Sequence, residues 1–220
     1  MDSAVSGVGI WRENVYLTRI EIDPYSREAA GLLGNAYTMH QALCDLTDAS
    51  RSESKMLHRI VRMPDRTSVY VYTEDPIEPS STRRGFRVGA ARDMQPMLDK
   101  LRPGQMLAFD LVAVPCKKAK PDDPAVKNSR RVVLREPEER MNWLRRQLER
   151  NGFELVAALE KAPVDMSARK RGTKAGFRLR GYHYAGRVRV VDPRLAQRAL
   201  AEGIGSERAF GYGMLLVRPV

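Results

Sequence analysis

Two stretches of similar length run through one order of hydrophobic patterns, and the pair Pro103-Gly104 divides them. In the first stretch, residues 16–22 (Tyr-Leu-Thr-Arg-Ile-Glu-Ile) alternate at period two, which predicts a strand that Asp23-Pro24 stops. Asn35 then stands where an N-cap belongs, ahead of Ala36, Met39, Leu43 and Leu46 at helical spacing. Those four make a buried stripe, while Tyr37 and His40, three apart, share another face that Cys44 continues. Residues 56–63 and 68–73 read as strands, and Pro64-Asp65-Arg66-Thr67 between them is a turn signal, so they pair as a hairpin. Residues 76–84 form a polar loop, 86–88 a short strand, and 93–101 a short helix interrupted by Pro96.

The second stretch follows suit. A long strand spans 106–114, and a basic, proline-containing loop with Lys117, Lys118, Lys120 and Lys127 spans 115–129. Pro137 at the first helical position opens a helix to Asn151, with Met141, Leu144 and Leu148 inward and Gly152 as its cap. Strands at 153–159 and 177–191, a helix at 194–202 behind Asp192-Pro193 and a terminal strand at 214–217 complete it. The first half reads β-α-β-β with a short α or β remainder and the second β-α-β-β-α-β, so the expected fold is α+β, as two tandem ferredoxin-like βαββαβ domains. The expected organisation is an N-terminal extension over 1–14, flexible in character, then domains at 15–102 and 105–220. No sequence repeat accompanies the repeated topology.

Charge separates the two halves. The chain of 220 residues carries a formal +11, from 38 Lys and Arg against 27 Asp and Glu. Residues 1–110 hold 14 basic and 15 acidic side chains, whereas 111–220 hold 24 and 12, so the excess belongs to the second half. Its densest run is 167–190, with Arg169, Lys170, Arg171, Lys174, Arg178, Arg180, Arg187 and Arg189 and no acid. A charge run on a helix with interleaved Glu is a solvated face. One without counter-charges points to phosphate and hence to nucleic acid. A hydrophobic fraction of 43% excludes a disordered polycation. No apolar run is long enough for a membrane span, and the N-terminus has no secretory core. Cys44 and Cys116 have no metal-ligand spacing and are too few for a disulfide scaffold, so a reduced, cytoplasmic protein without cofactor is expected.

Two features bear on chemistry. The first is the run 203–213, in which Gly203, Gly205, Gly211 and Gly213 surround Arg208, Phe210 and Tyr212 between a helix and a strand. Glycines let backbone amides approach an anion closely, so the run is either a phosphate cradle or a packed, shaped loop. It is neither a Walker loop nor a dinucleotide fingerprint, since no Gly-Lys-Ser/Thr follows and it leads into a strand. The second is His40 with Tyr37 beside it. An imidazole exchanges a proton near neutral pH, and a phenol orients a reacting hydroxyl. His58 and His183, the other two histidines, suggest no role. No acidic cluster suits Mg²⁺ and no Cys/His set suits zinc, so no metal is expected. Without a metal, RNA is still cleavable, because its own 2′-hydroxyl attacks the neighbouring phosphate; DNA lacks that group.

These residues resemble the CRISPR RNA-processing endoribonucleases of the type I-E (Cascade) system, the CasE family. The likeness runs over most of 15–219. It rests on Tyr16-Leu17-Thr18-Arg19, on Asn35 to Leu43 with its Tyr-X-X-His, on Leu101-Arg102-Pro103-Gly104-Gln105, and on Pro137-Glu138-Glu139-Arg140 with Trp143-Leu144. It rests also on Gly186 to Pro193 and on the terminal glycine-rich block with Met214-Leu215. The resemblance implies RRM-related domains and metal-independent cleavage of precursor CRISPR RNA at the 3′ base of a repeat stem-loop, leaving a 2′,3′-cyclic phosphate (or 3′-phosphate) and a 5′-hydroxyl. It implies that the product is kept and that the protein joins the other Cascade subunits. His40 matches the family's catalytic histidine and Tyr37 the tyrosine that assists it. The basic hairpin near Arg169, Lys170, Arg171 and Lys174, continued by Arg178 and Arg180, resembles by position and charge the element that grips the RNA stem. The chain departs from the family in its 14-residue leader and in Ser206-Glu207-Arg208, where Glu207 argues for a loop that packs against the His40 helix. A non-catalytic RNA-binding subunit is the alternative, and a general nucleic-acid packager a third reading.

Overall fold

The computed structural model describes residues 14–47, 56–80, 83–119, 130–170, 172 and 176–220. The expected extension over 1–14, apart from Asn14, lies outside them, as do Lys120, Lys127, Arg171 and Lys174.

The first half builds an antiparallel sheet from β1 (Tyr16–Ile22), β2 (Leu57–Arg62), β3 (Thr67–Thr73) and β4 (Phe86–Val88), ordered β2-β3-β1-β4, with β5 (Arg92–Asp93) also on β1. Register runs from Tyr16 opposite Thr73 to Ile22 opposite Thr67. Two helices, α1 (Arg27–Leu33) and α2 (Ala36–Cys44), pack on one face. Ile20, Ile22, Val69 and Val71 from the sheet meet Ala29, Leu32, Met39 and Leu43 from the helices in one buried cluster. The stripe expected on α2 is buried as read: Ala36, Met39, Leu43 and Leu46 are all core residues. α1 was not anticipated. It is two turns long, capped by the Ser26 hydroxyl, which accepts from Ala29 N, and buries only Ala29 and Leu32. Between β3 and β4 no described residue is helical. Among the described residues of that segment Ile77 alone enters the core, and the expected 93–101 helix is the single turn α3 (Gln95–Leu98).

The second half repeats the strand order. β6 (Met106–Ala113), β9 (Phe153–Arg169), β10 (Gly176–Val190) and β11 (Leu215–Pro219) form a sheet ordered β11-β6-β10-β9, with α4 (Pro137–Arg150) after the first strand and α5 (Pro193–Glu202) before the last. Each half thus has the fourth-first-third-second order of a ferredoxin-like domain. Two expectations need correction. The 115–129 loop contains a strand, β7 (Cys116–Ala119), which pairs with β8 (Arg130–Val133). β9 continues ten residues past Leu159, to Arg169, despite Pro163. Pro163 is tolerated because β9 is an edge strand and needs no donor on its free side.

α4 is fastened by Arg140, whose side chain is 6% exposed. Its guanidinium donates to both Glu160 carboxylate oxygens at 2.8 and 2.5 Å and lies 4.0 Å above the Tyr182 ring. The two halves share a core: Val15, Leu57, Tyr72, Leu98 and Leu101 from the first belong to the same buried cluster as Leu107, Phe109, Trp143, Leu144 and Tyr184 from the second. Among the described residues no helix is long and apolar enough to cross a membrane.

Candidate active site

α2 carries the candidate histidine, and its start is fixed from two directions. The Asn35 Oδ1 atom accepts from Tyr37 N at 3.2 Å, which caps the helix. The same oxygen accepts from Arg169 N at 3.0 Å, and Asn35 Nδ2 donates to the Arg169 carbonyl at 2.9 Å. Arg169 is the last residue of β9, so the N-cap of the histidine helix holds the tip of the basic hairpin.

Tyr37 and His40 are half-buried on successive turns of α2, and Cys44, the third residue of that face, is buried. Cys44 Sγ lies 3.7 Å from His40 Nε2. The His40 ring stacks on that of His58, with centroids 6.2 Å apart and an interplanar angle of 26°. His58 comes from β2 and is fully buried. Burial first, and the neighbouring His40 second, push its pKa from about 6.5 down to about 3, so it is neutral at physiological pH. Behind it stands Gly211. With φ at +86° this position favours glycine, and a Cβ there would lie 3.1 Å from His58 Nε2.

The glycine-rich loop is closed by its own backbone. Gly203 N donates to Ala199 O, Ile204 N to Gly213 O, Phe210 N to Glu207 O, Gly211 N to Arg208 O and Gly213 N to Val112 O. Arg208 is exposed and folds back along the surface, its Nη1 donating to Glu202 O at the end of α5 at 2.6 Å. Gly205 lies against Trp143. The amides of Gly203, Ile204, Phe210, Gly211 and Gly213 are thus bonded within the protein, as a packed loop requires at those positions. It rests on α2 and on β2 through the short turn Arg208–Phe210. Tyr212, fully buried, donates its hydroxyl towards Val164 O at 2.9 Å and Leu179 O at 3.1 Å, which fixes the loop to the root of the hairpin. Phe210 meets Phe177 of the hairpin edge-on, centroids 5.6 Å apart.

On the hairpin, Arg169 and Lys170 are exposed beside α2. They line a groove with Asn35, Thr38, Gln41 and Arg83. Arg178 and Arg180 project from β10, but they are not unopposed. Asp165, across the ladder on β9, takes Arg180 at 2.8 and 2.9 Å and Arg178 at 3.2 Å. The Arg180 hydrogen bonds hold the Asp165 carboxyl below its ordinary pKa. Arg189 likewise meets Glu154 at 2.7 Å.

Sequence reasoning missed a second polar cluster. Arg59, one residue after His58 on β2 and 5% exposed, forms an ion pair with Asp110 of β6, and His183 of β10 lies 2.8 Å from the same carboxylate and 3.3 Å from the guanidinium. Burial holds the Arg59 pKa below its ordinary value, opposed by Asp110. Strand alternation offered a signal: it sends His58 and Arg59 to opposite faces of β2. Among the described residues no three His, Cys, Asp or Glu side chains are grouped as metal ligands would be.

Comparison with known proteins places this architecture. The chain matches the family model described as "CRISPR associated protein" over residues 15–219. It is 30% identical over 217 residues to the CRISPR-associated endoribonuclease Cse3 of Thermus thermophilus, covering 93% of this chain and all of that one. The structure of T. thermophilus Cse3 bound to an RNA representing a pre-cleavage complex superposes with a TM-score of 0.81 at 29% identity, over 94% of this chain and all of that one. Cas6e of Escherichia coli K-12, at 19% identity and a TM-score of 0.67 over 93% of this chain and all of that one, shares the fold. The chain belongs to the CRISPR-associated protein family of the type I-E CRISPR RNA endoribonucleases.

Proposed function

We propose that the protein is a metal-independent endoribonuclease that cuts precursor CRISPR RNA at the 3′ base of the repeat stem-loop, in the cytoplasm, and keeps the product as a subunit of Cascade. The observation that carries this reading is the Asn35 bridge, which makes the His40 helix and the basic hairpin one rigid unit. The RNA-bound relative and its endoribonuclease name support it.

In the proposed step the 2′-hydroxyl oxygen bonds to the adjacent phosphorus and the bond from phosphorus to the 5′-oxygen breaks. One proton leaves the 2′-oxygen and one reaches the 5′-oxygen, so the products are a 2′,3′-cyclic phosphate and a 5′-hydroxyl. His40 transfers one of these protons and Tyr37 assists, as base or as orienting group. Cations hold the stem: Arg169, Lys170, Arg178 and Arg180, with Arg171 and Lys174 of the same segment. The loop from Gly203 to Gly213 shapes the site through Gly211 and His58. In this reading the catalytic helix belongs to a domain at 15–102 and the grip to one at 105–220.

The test is cleavage of a hairpin repeat RNA in EDTA, by the wild type and by His40→Ala, with a 2′-deoxy substitution before the cut. The expected result is a cyclic-phosphate product from the wild type alone, with binding retained by the variant and by the deoxy RNA. Full-rate cutting by His40→Ala overturns the assignment of His40. Binding without cutting by the wild type makes the protein an RNA-binding subunit.

A further inference from the structure

We propose that His58 is a positioning residue for His40: its buried ring is the platform on which the His40 imidazole is held, and the backbone at Gly211 backs that platform. The inference rests on the reading of His40 as the proton-transfer group, and it explains what a fully buried histidine does one strand away from it.

The geometry is that of a sandwich. On one side the two rings stack with an angle of 26° between their planes. On the other, the Gly211 backbone lies close behind the ring: a Cβ there would stand 3.1 Å from His58 Nε2 and 3.4 Å from Cδ2. His58 itself is fully buried, on a strand held from its other face. Its neighbours Leu57 and Arg59 are buried toward the opposite face of β2, Leu57 in the core shared by both halves and Arg59 on Asp110. Three consecutive buried side chains therefore lock the strand, and the strand locks the ring.

The chemistry says which property of His58 is used. Neither ring nitrogen has a hydrogen-bond partner among the described residues. Its nitrogens thus make no hydrogen bond that holds the fold, and what remains is an offset stack of two aromatic rings. Because burial keeps the ring neutral down to about pH 3, it neither repels a protonated His40 nor competes with it for the proton at neutral pH. Proton transfer needs the donor and acceptor atoms aligned, and a misplacement of about 1 Å costs roughly 100-fold in rate. Cys44, 3.7 Å from His40 Nε2, stands at the edge of the ring, and His58 stacks on it from β2.

The experiment compares single-turnover cleavage and hairpin-RNA affinity for the wild type, His58→Phe, His58→Leu, Gly211→Ala and His40→Ala, each at a temperature where circular dichroism shows it folded. Phe keeps a plane at that position and Leu fills it without one. The expected result is that His58→Phe cuts within about threefold of the wild type, while His58→Leu and Gly211→Ala fall on the order of 10- to 100-fold, all with affinity unchanged within twofold. The pH–rate profile adds a readout that loss of fold stability does not move: the limb set by His40 keeps its midpoint in His58→Phe and shifts in His58→Leu, where the imidazole is no longer held. If His58→Leu cuts at the wild-type rate with an unmoved limb while His40→Ala is inactive, the platform is overturned and the role of His40 stands. If Phe and Leu are equally impaired, planarity is not the property used, and the proposal also fails. Full-rate cutting by His40→Ala removes the reading on which the platform rests.

Discussion

Asn35 and Arg169 lie 134 positions apart and hold each other by two hydrogen bonds, side-chain amide to main-chain carbonyl at 2.9 Å and main-chain amide to side-chain oxygen at 3.0 Å. The oxygen that takes Arg169 N is the one that caps α2. Asn35→Ala removes cap and bridge together, with an expected cost of about 2 kcal/mol at this exposed site. Asn35→Asp keeps the acceptor that caps α2 and takes Arg169 N, but sets a carboxylate oxygen against the Arg169 carbonyl in place of the donor. We expect it to melt close to the wild type yet cut RNA several-fold more slowly. Thermal melts and single-turnover cleavage on the two variants check this.

Arg59 and Asp110 cross between the halves, with the arginine side chain 7% exposed and the aspartate 36%. Asp110→Asn leaves the guanidinium buried without its carboxylate; solvent at the exposed carboxylate screens the pair, and the expected loss is about 2 kcal/mol. Replacing both, with Arg59→Met and Asp110→Asn, is expected to recover most of it, since no charge is then stranded. Urea unfolding of the two variants measures the difference.

His58 ties stability to pH. Its folded pKa of about 3 lies below the usual 6.5, so between those values the unfolded chain binds a proton that the folded one does not. The contribution of this group is fully present above pH 6.5 and is lost as pH falls toward about 3, at up to roughly 1.4 kcal/mol per pH unit. His58→Phe removes that slope. The gap in melting temperature between variant and wild type is expected to widen steadily from pH 7 to pH 4, in favour of the variant, which also loses two unsatisfied buried nitrogens.

Asp165 holds two arginines of the basic hairpin. Asp165→Asn releases Arg178 and Arg180 toward solvent and phosphate. The expected outcome is several-fold tighter binding of hairpin RNA, with a salt dependence steeper by roughly one phosphate contact. Titrations at three salt concentrations test it, and unchanged affinity shows that these arginines face away from the RNA.

Much of this was legible in the residues. Met39 and Leu43 announced the buried side of α2 by spacing alone, and that left Tyr37 and His40 on another face. α1 escaped because two turns hold too few apolar positions to show a period, and the end of β9 escaped because Pro163 argues against a strand unless the strand is known to be at an edge. The acid opposing Arg180 lies just outside the run that looked acid-free, and only the ladder register brings Asp165 opposite it. His58 is 18 positions from His40, on a different element, and no local pattern joins a helix face to the third ring beneath it. The glycines were visible as a cluster, but whether their amides faced a ligand or each other depends on closure by Val112 and Ala199.

The core shared by the two sheets has a consequence for the chain as a polymer. Leu57, Tyr72 and Leu101 are covered by residues that come after Gly104, and Gly104 N is itself bonded to Val190 O. Besides the linker, apolar contact joins the halves, so neither is expected to be stable without the other. The molecule is therefore expected to melt in a single transition, and a backbone break at Gly104 is expected to leave two fragments that find each other again, whereas either one alone exposes its share of the interface and aggregates.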